Sequence, residues 1–162
     1  MTVGRLAADQ WRAYRAIRLA MLQESPSAFG STQAEAAAYD EATWRQRLTD
    51  NAVFVADLAG AHVGSATCAD SWATNLTEAY LVGMWVSPPA RGSGAAQALV
   101  GAVVAQARAA GKRRIILDVV DSNQVARALY ERCGFVATGR TSPYPHDDAV
   151  TELEMALVLP SR

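Results

Sequence analysis

The segment with the clearest chemical potential contains two closely spaced glycines in the middle of the chain. It reads Arg91-Gly92-Ser93-Gly94-Ala95-Ala96 and lies between an apolar run and an alanine-rich stretch. Glycines let the backbone turn with its N–H groups pointing inward and no Cβ atoms in the way. A helix that follows adds unpaired amides and the positive end of its dipole. The segment therefore predicts a diphosphate site, with Arg91 as an added cation; an ordinary glycine-rich connection is the alternative.

Two better-known phosphate loops fit this segment less well. A Walker loop requires lysine after its last glycine, and here Ala95 follows Gly94. A dinucleotide fingerprint requires a third small residue where this chain has Gln97. A nucleotide hydrolase is therefore a remote reading, because the sequence also lacks an obvious pair of magnesium-binding carboxylates.

Two carboxylates stand where a general base could act. Asp118 interrupts the otherwise apolar run Ile115–Val120, and partial loss of water there would raise its pKa toward a useful range. Glu78 directly precedes another apolar run and could act through a water molecule. The alternative for both is a hydrogen-bonded or solvent-facing carboxylate at the end of a strand.

Hydrophobic periodicity predicts the elements that must position these residues. Apolar residues at helical spacing predict a first helix over Ala8–Glu24, and Asp40 can cap a second helix. The residues between them are expected to form a loop or a broken helix. Glycine-bounded alanine-rich residues predict a helix after Gly94 that ends before Gly111, and another helix follows the capping residues 121–123.

Short apolar or alternating runs predict six strands. They are residues 52–56, 62–68, 79–86, 115–120, 135–138 and 151–159. The third and fourth are expected to be buried on both faces and joined by a parallel crossover through a helix. Loops are expected over 70–75 and 142–149. The predicted order is helix, helix, three strands, helix, strand, helix, two strands.

Two sequence motifs resemble those of the GNAT acetyltransferases. Arg91-x-x-Gly94-x-Ala96 is similar to the family's Arg/Gln-x-x-Gly-x-Gly/Ala signature, on the strand–loop–helix that the signature requires. A second segment is similar to the family's Asn-x-x-Ala-x-x-Leu-Tyr-Glu-x-x-Gly-Phe pattern. Its matching residues are Asn123, Ala126, Leu129, Tyr130, Glu131, Gly134 and Phe135. The resemblance is specific over residues 79–139 and only topological elsewhere.

The resemblance implies an α/β (α+β) fold and a cofactor site. The expected architecture is the GNAT acyl-CoA N-acyltransferase fold, a mixed central β-sheet with a splayed parallel strand pair flanked by helices, in a single domain over residues 1–162. The cofactor would be acetyl-CoA. In the family, the strand backbone pairs with pantetheine, the loop amides hold the pyrophosphate and an asparagine contacts the pantetheine arm. These roles map to Met84, Trp85 and Val86, to residues 91–96, and to Asn123.

The resemblance also implies the reaction, which is direct transfer of an acetyl group to a primary amine without a covalent enzyme intermediate. Tyr130 matches the family's acid, which protonates the departing thiolate; a packed tyrosine is the alternative. Asp118 falls where the ribosomal-protein alanine acetyltransferases carry a catalytic glutamate, and Glu78 is an equal candidate for the base. An oxyanion would be stabilised by a backbone N–H of residues 84–86. A non-catalytic acyl-CoA-binding module of the same fold is the second hypothesis.

Composition limits the partners. The chain has 162 residues, of which 51% are hydrophobic, so it can bury one sizeable core. A net charge of -1 provides no field to attract nucleic acid or an anionic membrane. Two cysteines and two histidines without metal-ligand spacing predict no metal site. Without an apparent signal peptide or membrane span, a cytoplasmic location is expected.

The acceptor is expected to be a small-molecule or peptide amine, and dimers are common in the family, so a homodimer is compatible with the resemblance. The segment before the last strand carries Tyr144, His146, Asp147 and Asp148, and in the family it often borders the acceptor site. A solvated polar loop is the alternative there. Phe29 could line the acceptor mouth.

Overall fold

A seven-stranded sheet forms the centre of the computed structural model, which describes residues 1–70 and 75–161. The strands are β1 (Thr2–Arg5), β2 (Asn51–Leu58), β3 (Ala61–Ala69), β4 (Glu78–Val86), β5 (Arg114–Val120), β6 (Val136–Tyr144) and β7 (Asp147–Val158). Their order across the sheet is β1-β2-β3-β4-β5-β7-β6. All neighbours are antiparallel except β4 and β5. The predicted mixed sheet with one parallel pair is confirmed.

Helices flank the sheet and begin where the sequence provides capping groups. They are α1 (Trp11–Glu24), α2 (Gln33–Ala37), α3 (Glu41–Asp50), α4 (Ala95–Ala109) and α5 (Gln124–Arg132). The side chain of Asp40 accepts a 2.8 Å hydrogen bond from the Thr43 amide at the start of α3. Asn123 accepts one of 3.2 Å from the Ala126 amide at the start of α5. None of these helices is both long and apolar enough to cross a bilayer.

Side chains of the central strands alternate between two hydrophobic cores, one on each face of the sheet. In β2, Ala52 and Phe54 pack in the core that contains α4, whereas Val53 and Val55 pack in the core that contains α1 and α3. This alternation follows from the two-residue repeat of a strand. The helices therefore hold the sheet from both sides.

The edge of the sheet begins with a strand that the sequence pattern does not predict. The four residues of β1 pair antiparallel with β2, so a strand precedes the first helix. The segment is short and mostly exposed, so it carries no alternating apolar signal. The region between the first two predicted helices, expected to be a loop or a broken helix, contains the five-residue α2, capped by Thr32.

The last two strands are longer than predicted. The expected loop over 142–149 is wrong, because β6 continues to Tyr144 and β7 begins at Asp147. Only Pro145 and His146 separate the two strands. Backbone pairing at a sheet edge needs no apolar side chains, so exposed residues join the hairpin without a sequence signal. Of the predicted loop over 70–75, only the two end residues lie within the described residues.

Candidate active site

The parallel strands β4 and β5 pair only over their first three residues. Glu78, Ala79 and Tyr80 are opposite Arg114, Ile115 and Ile116, and the strands then separate. A cleft of about 950 Å³ opens between the separated ends. The predicted splay is confirmed, and it leaves the edge of β4 that faces β5 without a strand partner from residue 81 onward.

A glycine in β4 marks an irregularity in the strand. Gly83 has a φ of 60°, in the left-handed region that favours glycine, and the β3–β4 register shifts beside it. Val82, Gly83 and Met84 are consequently only half-buried and line the cleft. The prediction that this strand is buried on both faces is therefore wrong for Val82, Gly83 and Met84, which border the cleft, whereas Trp85 and Val86 are buried.

The glycine loop ends at the amino end of α4, and several of its amides are free. Gly92 and Gly94 have φ values of 83° and 88°. The amides of Arg91, Ser93 and Ala95 donate to groups within the loop. Those of Gly92, Gly94 and Ala96 donate to no group within the described residues. Because Gly94 occupies the N-cap position without a capping side chain, the positive end of the helix stays open to an anion.

The side chain of Arg91 holds the loop to its neighbours. Its Nε donates a 3.1 Å hydrogen bond to the Val86 carbonyl, and its Nη2 lies 3.2 Å from both carboxylate oxygens of Glu24. The indole N–H of Trp85 donates to the same carboxylate at 2.8 Å. These contacts join the end of α1, the end of β4 and the loop. Trp85 thus points its side chain into the core of α1 and α3, which leaves only its backbone for the cleft.

Two residues of α5 and its cap face the cleft. Asn123 lines it, and because its Oδ1 caps α5, its amide N–H groups remain as donors. Tyr130 is 7% exposed and packs edge-on against Phe135, with ring centroids 5.9 Å apart. Burial, and to a smaller extent the nearby Cys133, raises the pKa of Tyr130 to about 12. The phenol therefore stays protonated at neutral pH and can act as a hydrogen-bond donor.

A cluster of carboxylates lies on β5 and β7 at the floor of the cleft. Asp118 is directly opposite Glu154 in the β5–β7 register, and Glu152 is two residues further on the same face. Partial loss of water and the charge of Glu154 raise the pKa of Asp118. Partial loss of water and the charge of Asp118 raise the pKa of Glu152. Both groups line the cleft, and the raised pKa makes each carboxylate a stronger base than an ordinary one.

The sequence pattern did not single out Glu152, because it alternates with apolar residues as any outward-facing strand residue does. Only the register of β7 against β5 brings it beside Asp118. Glu78 is placed differently. It lies where β4 and β5 are still paired, does not line the cleft, and forms an ion pair with Arg114 at 3.3 Å.

The β6–β7 hairpin reaches the cleft at its tip. Tyr144 lines the cleft, and its hydroxyl is buried without a hydrogen-bond partner among the described residues. Burial, with a contribution from Glu152, raises the pKa of this phenol. His146 is hydrogen-bonded through Nε2 to the Phe29 carbonyl at 2.9 Å, which ties the tip to the segment after α1. Asp147 and Asp148 are exposed.

A second cavity, of about 910 Å³, lies on the side of α1 and α3. It shares Gly83, Asp118 and Glu152 with the cleft, so the two cavities meet at the carboxylates. Arg18 of α1 and Arg47 of α3 also line this second cavity. Sequence reasoning did not select these arginines, because a charged residue on an amphipathic helix normally faces solvent.

Solved structures of low sequence identity share this fold. A ribosomal-protein-alanine N-acetyltransferase from Brucella melitensis superposes with a TM-score of 0.79 at 20% identity, covering 98% of this chain and 100% of that one. A GNAT-family acetyltransferase from Streptococcus pneumoniae gives 0.80 at 18% identity, covering 98% and 99%. A Salmonella typhimurium protein solved with its cofactor acetyl-CoA gives 0.77 at 20% identity, covering 100% and 95%.

Sequence comparison points the same way. An uncharacterized N-acetyltransferase from Methanocaldococcus jannaschii is 30% identical over 95 residues, which are 57% of this chain and 42% of that protein. The match therefore spans less than half of the relative's length. The model of the acetyltransferase (GNAT) family matches residues 16–135, which include the glycine loop, the separated strands and α5 up to Phe135. The chain belongs to the GNAT family of acetyltransferases.

Proposed function

We propose that this protein transfers an acetyl group from acetyl-CoA to a primary amine, by direct attack while both substrates are bound. The observation that carries the proposal is the continuity of two features. The unpaired edge of β4 leads directly into a loop whose free amides, at Gly92, Gly94 and Ala96, meet the open end of α4. A long cofactor with an anionic end and an amide-bearing arm fits this arrangement.

The residues present fit the parts of coenzyme A. The free loop amides would hold the pyrophosphate, as helix amino ends hold phosphate groups. The unpaired edge of Met84–Val86 would hydrogen-bond the amides of the pantetheine arm as an inserted strand does, with Asn123 contacting the same arm. Arg91 would act by fixing the loop, because its guanidinium is already bound to Glu24 and Val86.

Acetyl-CoA would supply the acyl group in activated form, as a thioester. The carboxylate of Asp118 would take a proton from the acceptor ammonium group, and the neutral nitrogen would then bond to the acyl carbon. As the carbon–sulfur bond breaks, the nitrogen would lose its second proton to solvent, which leaves the amide. A backbone N–H of residues 84–86 would stabilise the charge that develops on the carbonyl oxygen. The Tyr130 hydroxyl would donate to the departing sulfur, and exchange with solvent would restore both groups. Glu152 is the second candidate base. Glu78 is the least favoured candidate, because it pairs with Arg114 and does not line the cleft.

The proposal is tested by measuring thiol release from acetyl-CoA with a panel of amines, in parallel with calorimetric titration of coenzyme A. We expect coenzyme A to bind and at least one amine to give stoichiometric thiol and N-acetyl product. Binding without turnover across the panel would instead favour the non-catalytic acyl-CoA-binding module. If calorimetry on well-folded protein detects no heat with coenzyme A, both the acetyltransferase and the acyl-CoA-binding module are excluded.

A further inference from the structure

The cavity beside the cleft contains a half-buried cation close to the proposed reaction centre. Arg18 extends from α1 toward β4, where a Cβ atom at Gly83 would lie 3.4 Å from its Nη1. Its guanidinium carbon lies 5.3 Å from the ring centroid of Phe29. The charged group is thereby held between an aromatic ring and the strand that leads into Met84–Val86.

This cation has no counter-ion within the described parts of the chain. Arg45 and Arg91 pair with Glu41 and Glu24, whereas neither Arg18 nor Arg47 lies within 4.0 Å of a carboxylate of residues 1–70 and 75–161. The side chain of Arg47 donates a 3.4 Å hydrogen bond to the Tyr14 hydroxyl and makes a cation–π contact with Tyr39 at 5.7 Å.

Burial is the main cause that lowers the pKa of Arg18. Repulsion by Arg47 lowers it further, and Tyr14 and Tyr39 oppose the change. The two neighbouring guanidinium groups are partly removed from water and have no paired carboxylate among the described residues. Charges in such positions are normally paired, so this site lacks an anion.

The acidic residues of the cavity are placed so that they do not complete this site. Asp40 accepts hydrogen bonds from Thr43, and Asp50 accepts one from Gln46. Asp118 and Glu152 lie where the cavity meets the cleft, at the proposed place of attack on the thioester. The cavity therefore carries cations on one wall and proton acceptors where it meets the cleft.

The spacing between these ends is short. Gly83, which Arg18 reaches, immediately precedes the strand segment proposed to hold the thioester, and one strand residue spans about 3.3 Å. An anion bound to Arg18 would therefore lie near the proposed thioester, at a separation along the strand of roughly 3–10 Å, or one to three residues. In an α-amino acid a single carbon separates the amine from the carboxylate, which fits the short end of this range.

We infer, on the basis of the proposed acetyl transfer, that the acceptor is a free α-amino acid whose carboxylate is bound by Arg18, with Arg47 adding positive potential. The amine then points to Asp118 and Glu152. A planar guanidinium can bind a carboxylate through two parallel hydrogen bonds, which fixes orientation as well as affinity.

The first test needs no variant. The twenty α-amino acids, each paired with its carboxamide and its decarboxylated amine, are assayed as acceptors with acetyl-CoA. For the best amino acid we expect kcat/KM to exceed that of its carboxamide by about 10- to 100-fold, the range for loss of a charge-assisted hydrogen bond. Equal or faster turnover of carboxamides, decarboxylated amines or peptides would overturn the inference while leaving the acetyl transfer intact.

The second test assigns the preference to the arginine. Arg18→Gln should bring the ratio of amino acid to carboxamide close to one, mainly through KM, and Arg18→Lys should restore part of it. Arg108→Gln removes the same charge from an exposed position on α4 and should leave the ratio as in the wild type. A ratio unchanged in Arg18→Gln would also overturn the inference. If no amine reacts although coenzyme A binds, the acetyl transfer itself fails, and this inference with it.

Discussion

At the scale of single residues, the environment of Tyr130 limits what its hydroxyl can do. A thiol has a pKa near 8.5, whereas burial raises that of Tyr130 to about 12. Complete proton transfer from this phenol to a thiolate is therefore uphill by about 5 kcal/mol in the absence of other changes. The hydroxyl is better suited to donate a strong hydrogen bond as negative charge develops on sulfur and to complete the transfer late.

Removing that hydroxyl should slow the chemical step and leave cofactor binding intact. We expect Tyr130→Phe to lower kcat by about 100-fold, as for loss of a general acid, because the ring contact with Phe135 is kept. Steady-state kinetics and coenzyme A calorimetry measure the two effects. Tyr39→Phe, in the core of α1 and α3, is the matched control. A wild-type rate in Tyr130→Phe would exclude Tyr130 from the mechanism.

The ionised carboxylate of Asp118 serves the proposed reaction but lowers the stability of the fold. Partial loss of water and the Glu154 charge raise its pKa in the folded state. The folded protein then binds the proton more readily than the unfolded chain does. The contribution of Asp118 to stability is therefore fully present below the unfolded pKa of about 3.9 and is lost as the pH rises through the folded value. At neutral pH the ionised carboxylate destabilises the fold while serving as a proton acceptor.

We therefore expect Asp118→Asn to raise the melting temperature at about pH 7.5 more than at about pH 3.5, and to lower kcat/KM. The same change should lower the pKa of Glu152, because a neighbouring negative charge disappears. Thermal unfolding at both pH values, and NMR titration of Glu152, measure these effects. Asp148→Asn removes a charge at the exposed hairpin and serves as the control. Lower stability of Asp118→Asn at neutral pH would contradict the argument.

At the scale of elements, the glycine loop and α4 act together. The free amides are available because Gly92 and Gly94 adopt left-handed backbone angles, and because no side chain caps the helix. Arg91 stabilises this geometry through Glu24 and Val86 instead of extending toward the amides. The loop thus offers neutral backbone N–H groups to an anion. The charged side chain of Arg91 serves to hold the loop in place.

A negative charge placed at the end of α4 should abolish anion binding. We expect Gly94→Asp to weaken coenzyme A binding by at least about 100-fold, because a carboxylate repels the pyrophosphate and binds the same amides itself. Gly94→Asn has nearly the same size and tolerates the left-handed angle better than most residues, so it isolates the charge. Calorimetry should show a much smaller loss for Asn. Equal losses would mean that backbone strain, not charge, controls binding.

At the scale of the whole molecule, the sheet must be held rigidly for two of its strands to stay apart. Among the glycines, the closest approach of other atoms occurs at Gly64, where β3, β4 and α4 meet. A Cβ atom at Gly64 would lie 2.9 Å from the Trp85 carbonyl and 3.0 Å from Leu99 Cδ1. This close approach seats α4 on the sheet and so sets the position of the loop at its amino end.

Two glycine substitutions should consequently have opposite effects on stability. Gly64→Ala forces backbone and core apart and should destabilise the protein by about 1–3 kcal/mol. Gly101→Ala, inside α4 with open space around it, should stabilise by about 0.5–1 kcal/mol through helix propensity. Denaturant unfolding of both variants measures the difference. Stabilisation by Gly64→Ala would show that α4 is seated less tightly than these distances indicate.

Local patterns in the chain were sufficient to predict the sheet's central strands, the long helices with their caps, and the loop that leads into α4. Each depends on residues close in sequence: apolar periodicity, Asp40 and Asn123 as caps, and paired glycines. The short strand β1 and the full β6–β7 hairpin escaped prediction, because their pairing depends on backbone groups of distant segments.

The amino-acid sequence alone determined the family and pointed to the loop that we propose to bind the cofactor, since both reside in contiguous motifs. Only the tertiary structure decided which carboxylates share the cleft. The β5–β7 register brings Glu152 beside Asp118, and the β4–β5 register leaves Glu78 with Arg114. The packing of α1 against the sheet also places Arg18 beside Gly83, 65 positions away in the chain. Charges act through distance in space, and sequence separation carries no information about that distance until the strands and helices are packed.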